Sequence, residues 1–90
     1  MEFIREPGRV WLPGPDGRAL AWVDFPAAGE NIVDISRTFV DESLRGQGVA
    51  AGLLAQAAAL LRATGRKARP TCSYAVKWFA EHPEYQDILA

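Results

Sequence analysis

Val40-Asp41-Glu42-Ser43-Leu44-Arg45-Gly46-Gln47-Gly48-Val49-Ala50-Ala51-Gly52-Leu53-Leu54 contains the change of periodicity that decides the fold. Before it, Val33, Ile35, Arg37 and Phe39 alternate with Asp34, Ser36, Thr38 and Val40. A period of two predicts a strand over about 32–40 with one buried face. After it, Val49, Leu53, Leu54, Ala57, Leu60 and Leu61 recur at helical spacing up to Thr64, and Gly65 supplies a C-cap. The segment 45–50 therefore joins the end of a strand to the amino end of the strongest helix. Gly46 and Gly48 lack a Cβ, so the backbone can turn tightly and a phosphate can approach the amides from Gln47 to Ala50. At a helix amino end these N–H groups have no intrahelical acceptor, and the peptide dipoles add partial positive charge. Arg45 can add a fork of charge-assisted donors. The competing reading is a plain strand-to-helix turn shaped by two glycines. A P-loop needs a Gly-Lys-Ser/Thr ending, and a dinucleotide fingerprint needs a third glycine and a downstream acid; neither is present.

Upstream, the sequence from Phe3 has strand character, broken by Pro-Gly, Pro-Asp-Gly and Ala-Ala-Gly. Strands at 9–12 and 19–25 flank a turn at Gly14-Pro15-Asp16-Gly17, where Pro presets one dihedral and Gly accepts a positive one. Downstream, Arg62, Arg66 and Lys67 sit where the helix dipole favours cations. Residues 68–71 are extended, with Pro70 biasing Arg69 away from helix. A second helix then starts with Ser73 as N-cap, carries Val76, Phe79 and Ala80 as its apolar stripe, and ends at Pro83. The tail packs through Tyr85 and Ile88. The expectation is one α/β (α+β) domain over 1–90, with a largely antiparallel sheet of about four strands and two main helices.

The 90 residues, 49% of them apolar, suit one small core. Stability on the order of 5–10 kcal/mol is the norm at this size, so a bound ligand or a second copy would add a useful share; a monomer or weak homodimer is expected. The net charge of −1 gives no basic field for nucleic acid, and the short basic stretch 62–69 is otherwise explained. One cysteine and one histidine supply too few ligands for zinc, so no metal is expected. No signal peptide or membrane-spanning apolar run is present, which points to a cytosolic protein outside any membrane.

The stretch 40–54 resembles the acetyl-CoA signature of the GNAT N-acetyltransferase superfamily, Gln/Arg-x-x-Gly-x-Gly/Ala, with Arg45, Gly48 and Ala50 in the matching positions. Thr71-Cys72-Ser73-Tyr74 followed by His82-Pro83-Glu84-Tyr85 is similar to the small single-domain GNAT-like proteins. The resemblance implies a minimal GNAT-like fold, acetyl-CoA as cosubstrate, its pyrophosphate on the amides from Gln47 through Val49 to Ala50, and a pantetheine arm along Phe39 and Val40. It implies acetyl transfer to an amine of unidentified structure; the alternative is a non-catalytic CoA-binding or acyl-CoA-sensing module. Arg37 stands where close relatives often carry histidine, so any acid/base role of that histidine is absent. The acceptor-shaping helices and strands of longer relatives also have no counterpart in this length.

Cys72 follows the last strand and precedes a helix, where N–H dipoles lower a thiol pKa; it either accepts an acetyl group or packs as a small hydrophobe. Tyr74 matches the tyrosine that GNAT enzymes often place near the CoA sulfur to protonate the leaving thiolate, or is a half-buried tyrosine with a backbone-bonded hydroxyl. Asp41 and Glu42 are candidate bases but read more simply as loop residues or caps. His82 reads as a helix-end cap, and Trp11, Trp22 and Trp78 as core or interface aromatics.

Overall fold

A computed structural model describes residues 2–90. Strand β1 spans Ile4–Glu6, β2 Arg9–Pro13 and β3 Ala19–Asp24. Strands β2 and β3 pair antiparallel across a turn closed by Gly14 N to Arg18 O (2.7 Å) and Gly17 N to Gly14 O (3.0 Å). Strand β4 (Ala27–Gly29) turns at Asn31, whose φ of 57° is one that Asn tolerates, into β5 (Ile32–Ile35). Strand β6 is Arg37–Val40, followed by a 3-10 turn at Glu42–Leu44, helix α1 (Val49–Ala63), β7 (Lys67–Pro70), helix α2 (Ser73–Glu81) and a 3-10 segment at Pro83–Ile88. The result is a mixed α+β fold with two sheets, ordered β1-β2-β3-β6 and β4-β5-β7. Every named pair is antiparallel except β5 with β7.

The strand expected over 32–40 is two strands. At Ser36 the amide bonds to Asp24 O (3.0 Å); β5 before it belongs to the smaller sheet, and β6 after it pairs with β3. The unbroken alternation concealed this because the break depends on distant partners. Strands β1 and β4, three exposed residues each, were also not anticipated; neither carries a burial pattern.

Helix α1 buries Val49, Leu53, Leu54, Ala57, Ala58 and Leu61 in one cluster with Val10, Leu12, Ala21 and Val23 of the larger sheet and Val33 and Ile35 of the smaller. It ends in a Schellman motif: Gly65 at φ 70°, Gly65 N to Arg62 O (3.3 Å) and Arg66 N to Leu61 O (2.9 Å). Helix α2 is rotated from its expected face. It buries Ala75, Trp78 and Phe79, leaving Ala80 exposed and Val76 half exposed. Its cap position is Cys72, not Ser73.

The tail docks as expected, with Ile88 buried and Tyr85 partly so. Arg62 does more than face the helix dipole: it forks onto Asp87 (2.6 and 2.9 Å), bonds Glu84 O (2.9 Å) and lies over the Tyr85 ring. His82 stacks on Trp78 with Nδ1 2.7 Å from the Trp78 carbonyl, the capping role read from its position.

The burial pattern separates two substitutions. Leu54→Ala should lower unfolding free energy by about 2–5 kcal/mol, because it opens a cavity under α1. Val76→Asp should change it by less than about 0.5 kcal/mol. Urea denaturation followed by circular dichroism checks both.

Candidate active site

The smaller and larger sheets part beside Ile35. Its carbonyl accepts from Thr71 N (3.1 Å) and Cys72 N (3.0 Å), and the chain then leaves β7 to begin α2. Thr71 Oγ1 donates to Asp34 Oδ1 (2.6 Å), which fixes the departing chain to β5. Strand β6, by contrast, continues alongside β3, and among the described residues no strand pairs with its other edge. Asp41 N bonds Leu20 O (2.7 Å) in the same register that pairs Phe39 with Trp22 and Arg37 with Asp24. In an antiparallel ladder, bonded residues alternate. The main-chain groups of Arg37 and Phe39 therefore face β3, and those of Thr38 and Val40 face the open wedge between β6 and the start of α2. The Phe39 side chain stacks on Trp22, with ring centroids 4.5 Å apart.

The loop after β6 begins with a cap. Asp41 accepts from Ser43 N (3.0 Å) and Ser43 Oγ (2.5 Å), and these bonds hold its carboxyl below the usual carboxylate range. Asp41 is thus the cap of the 3-10 turn, as one of its sequence readings had it, and Glu42 is exposed in that turn. Gly46 and Gly48 adopt φ of 81° and 74°, the left-handed region that strains any side chain. Apart from the adjoining residues, no atom of the described residues lies within 4 Å of where a Cβ would sit on either.

Gly48 is the N-cap of α1 and offers no side-chain cap. The first main-chain bond into the helix is Gly52 N to Gly48 O (3.0 Å), so the amides of Val49, Ala50 and Ala51 precede the intrahelical ladder. Val49 anchors the turn by burying its side chain, while Gln47 reaches back to Ser43 O (3.4 Å). Arg45 is exposed, and its guanidinium has no hydrogen bond or ion pair among the described residues. Unfilled amides, an open glycine surface and an unengaged guanidinium form a donor set that suits a pyrophosphate.

Cys72 stands across the wedge from β6. Its sulfur is 3.6 Å from Thr38 Oγ1, a contact that spans 34 residues of sequence. Burial pushes the thiol up, but hydrogen bonding from the Ala75 amide, the Thr38 hydroxyl and the Tyr74 and Thr38 amides outweighs it, leaving the thiol below its ordinary value. Thr38 is the residue that sequence reasoning missed, because only the fold brings it to Cys72.

Tyr74, on the first turn of α2, is 39% exposed, and its hydroxyl has no hydrogen-bond partner among the described residues. The backbone-bonded tyrosine of the alternative reading is therefore not what is found. Burial, followed by the charge of Glu81, raises its pKa, so the phenol stays protonated at neutral pH. Among the described residues no group of three or more His, Cys, Asp or Glu side chains gathers around a point, and no helix is long and apolar enough to cross a membrane.

The fold and sequence have known counterparts. The model of the GCN5-related N-acetyl-transferase family matches residues 10–88. A GCN5-like candidate N-acetyltransferase from Staphylococcus aureus superposes with a TM-score of 0.80 at 26% identity, over 99% of this chain and 87% of that one. Candidate acetyltransferases from Agrobacterium tumefaciens (TM-score 0.63, 22% identity, 94% of this chain and 58% of that one) and Deinococcus radiodurans (0.58, 20%, 89% and 52%) share the fold. The chain spans little more than half the length of these last two. No protein of curated function matches the sequence significantly. With most of its length matched by the family model and its fold shared with these structures, the chain belongs to the GCN5-related N-acetyl-transferase family.

Proposed function

We propose that this protein binds acetyl-CoA in the wedge and transfers the acetyl group to an amine. The observation that carries the reading is the continuity of β6, glycine loop and α1: a strand edge that no other strand takes up among the described residues leads directly into a helix amino end with unfilled amides. The pyrophosphate would lie on the amides from Gln47 to Ala50 beside Gly46 and Gly48, with Arg45 over it. The pantetheine amides would add to the Thr38 and Val40 edge as a short pseudo-strand. That geometry would bring the thioester toward Cys72 and Tyr74.

In the reaction the amine nitrogen attacks the thioester carbonyl and gives up a proton to water, the C–S bond breaks, and the CoA thiolate takes up a proton. A phenol held protonated, as Tyr74 is, suits that last step. The outward Val40 amide on the β6 edge suits the charge that builds on the carbonyl oxygen. A lowered thiol pKa beside Thr38 supports a second route, in which the Cys72 sulfur would take the acetyl group from CoA and pass it to the amine. Family membership and the donor set support acetyl-CoA as the donor; the amine is not defined by these residues.

Isothermal titration with acetyl-CoA tests the binding step. Arg45→Ala should weaken binding roughly tenfold or more, the loss of one charge-assisted contact, while leaving the unliganded melting temperature unchanged. Equal affinity in wild type and variant would remove Arg45 from the site, and no binding at millimolar acetyl-CoA would return the glycine loop to a structural turn. Binding without acetylated product across amine panels would favour a sensing module.

The thiol is tested by iodoacetamide alkylation across pH. The thiolate is the reacting form, so a lowered pKa places the alkylation midpoint at lower pH than that of a free cysteine, about 8.5. Thr38→Val should move the midpoint upward. Intact mass after incubation with acetyl-CoA then separates the two routes: a gain of one acetyl group, lost in Cys72→Ala, identifies transfer through the sulfur. Turnover retained in Cys72→Ala identifies direct transfer.

A further inference from the structure

The face of the larger sheet turned away from α1 carries two ordered rows that the acetyl-transfer reading leaves unused. Strand registers align Ile4 with Trp11, Trp11 with Trp22 and Trp22 with Phe39, an apolar row across all four strands. Two residues along each strand, Glu6 aligns with Arg9, Arg9 with Asp24 and Asp24 with Arg37, a row of alternating charge. The period of two puts both rows on one face, opposite Val10 and Val23, which are buried with α1. Ile4 is 39% exposed, and Trp11, Trp22 and Phe39 are partly exposed. The Arg37 side chain has no hydrogen bond or ion pair among the described residues, and Arg9 grips Asp24 at 2.6 Å.

We infer that this face receives a second copy of the same chain, related by a twofold axis parallel to the strands and running between β2 and β3. Such an axis reverses the order of the strands on the facing sheet. The row Glu6, Arg9, Asp24, Arg37 then meets its own reverse, so Glu6 faces Arg37 and Arg9 faces Asp24, and every charge meets its opposite. The apolar row closes at the same time, with Trp11 over Trp22 and Ile4 over Phe39. An axis across the strands would instead set like charges together or lay the aromatic row over charge. The net charge of −1 leaves little long-range repulsion between copies.

Four strands of about five residues present a face of roughly 19 by 17 Å, on the order of 300 Å² in projection. A standard interface buries about 800 Å² per partner, so this dimer is weak and reversible.

Sedimentation velocity on the full chain from about 10 µM to about 1 mM reads the association directly. The wild type should rise in average mass with concentration. Glu6→Arg and Arg37→Glu should each weaken the dimer about fivefold or more, and the double variant Glu6→Arg/Arg37→Glu should restore it, since the facing charges are again opposite. Raising NaCl from about 0.05 M to about 0.5 M should weaken the wild-type dimer without any substitution. A wild type that stays monomeric throughout, whether because another partner uses the face or none does, overturns the proposal. So does a dimer insensitive to salt, or a double variant that folds by circular dichroism yet stays monomeric. None of these readouts involves acetyl-CoA, so a failure here is distinct from a failure of the acetyl-transfer reading.

Discussion

The carbonyl of Ile35 accepts both the Thr71 and Cys72 amides, while one residue later the Ser36 amide turns back to Asp24. Two sheets part at this fork. Had β7 continued beside β6, the outward main-chain groups of Thr38 and Val40 would be spent on an ordinary ladder and the wedge would be closed. Instead, parallel pairing stops at Pro70, where a proline can neither donate to a strand nor extend the ladder. The Asp34–Thr71 hydrogen bond holds the diverging chain, and Cys72 becomes the cap of α2. The open edge, the position of the thiol and the direction of α2 all follow from that one divergence.

What the wedge can do depends on how its far end is built. Strand β6 passes into a loop with two left-handed glycines, and the helix beyond starts without a side-chain cap. An uncapped helix start costs a natural protein some stability, about 1 kcal/mol where a Ser, Thr or Asp cap is missing. Here the six buried residues of α1 hold the helix in place regardless. The amides are kept in fixed orientation by a rigid core rather than by a cap that would compete with an anion. The same core leaves the opposite face of the larger sheet to its aromatic and charged rows.

The switch from period two to helical spacing at the glycine loop was legible because each half repeats locally, and so was the Schellman end of α1 at Gly65. The break at Ser36 was not. No glycine or proline marks it, and the choice between partners is made by β7 and β3, both distant in sequence. The face of α2 was misread because Val76, Phe79, Ala80 and Ala75, Trp78, Phe79 are both helical stripes that share Phe79; the bulk of Trp78 decides between them. At the candidate site, Arg45 and Gly46 to Ala50 could be named from their local chemistry, whereas Thr38 could not. Its hydroxyl meets Cys72 only through the fold. Phe39 and Val40 were read as one stretch, but alternation along β6 turns them to different neighbours, Phe39 to Trp22 and the Val40 main chain to the wedge.

The most direct test of the wedge is amide chemical-shift mapping by nuclear magnetic resonance as acetyl-CoA is added to isotope-labelled protein. The account predicts that Thr38, Val40 and Gln47 through Ala51 shift together and saturably, while Val10 and Val23 beneath α1 stay in place. Shifts confined to other parts of the chain, or none at millimolar acetyl-CoA, would contradict it.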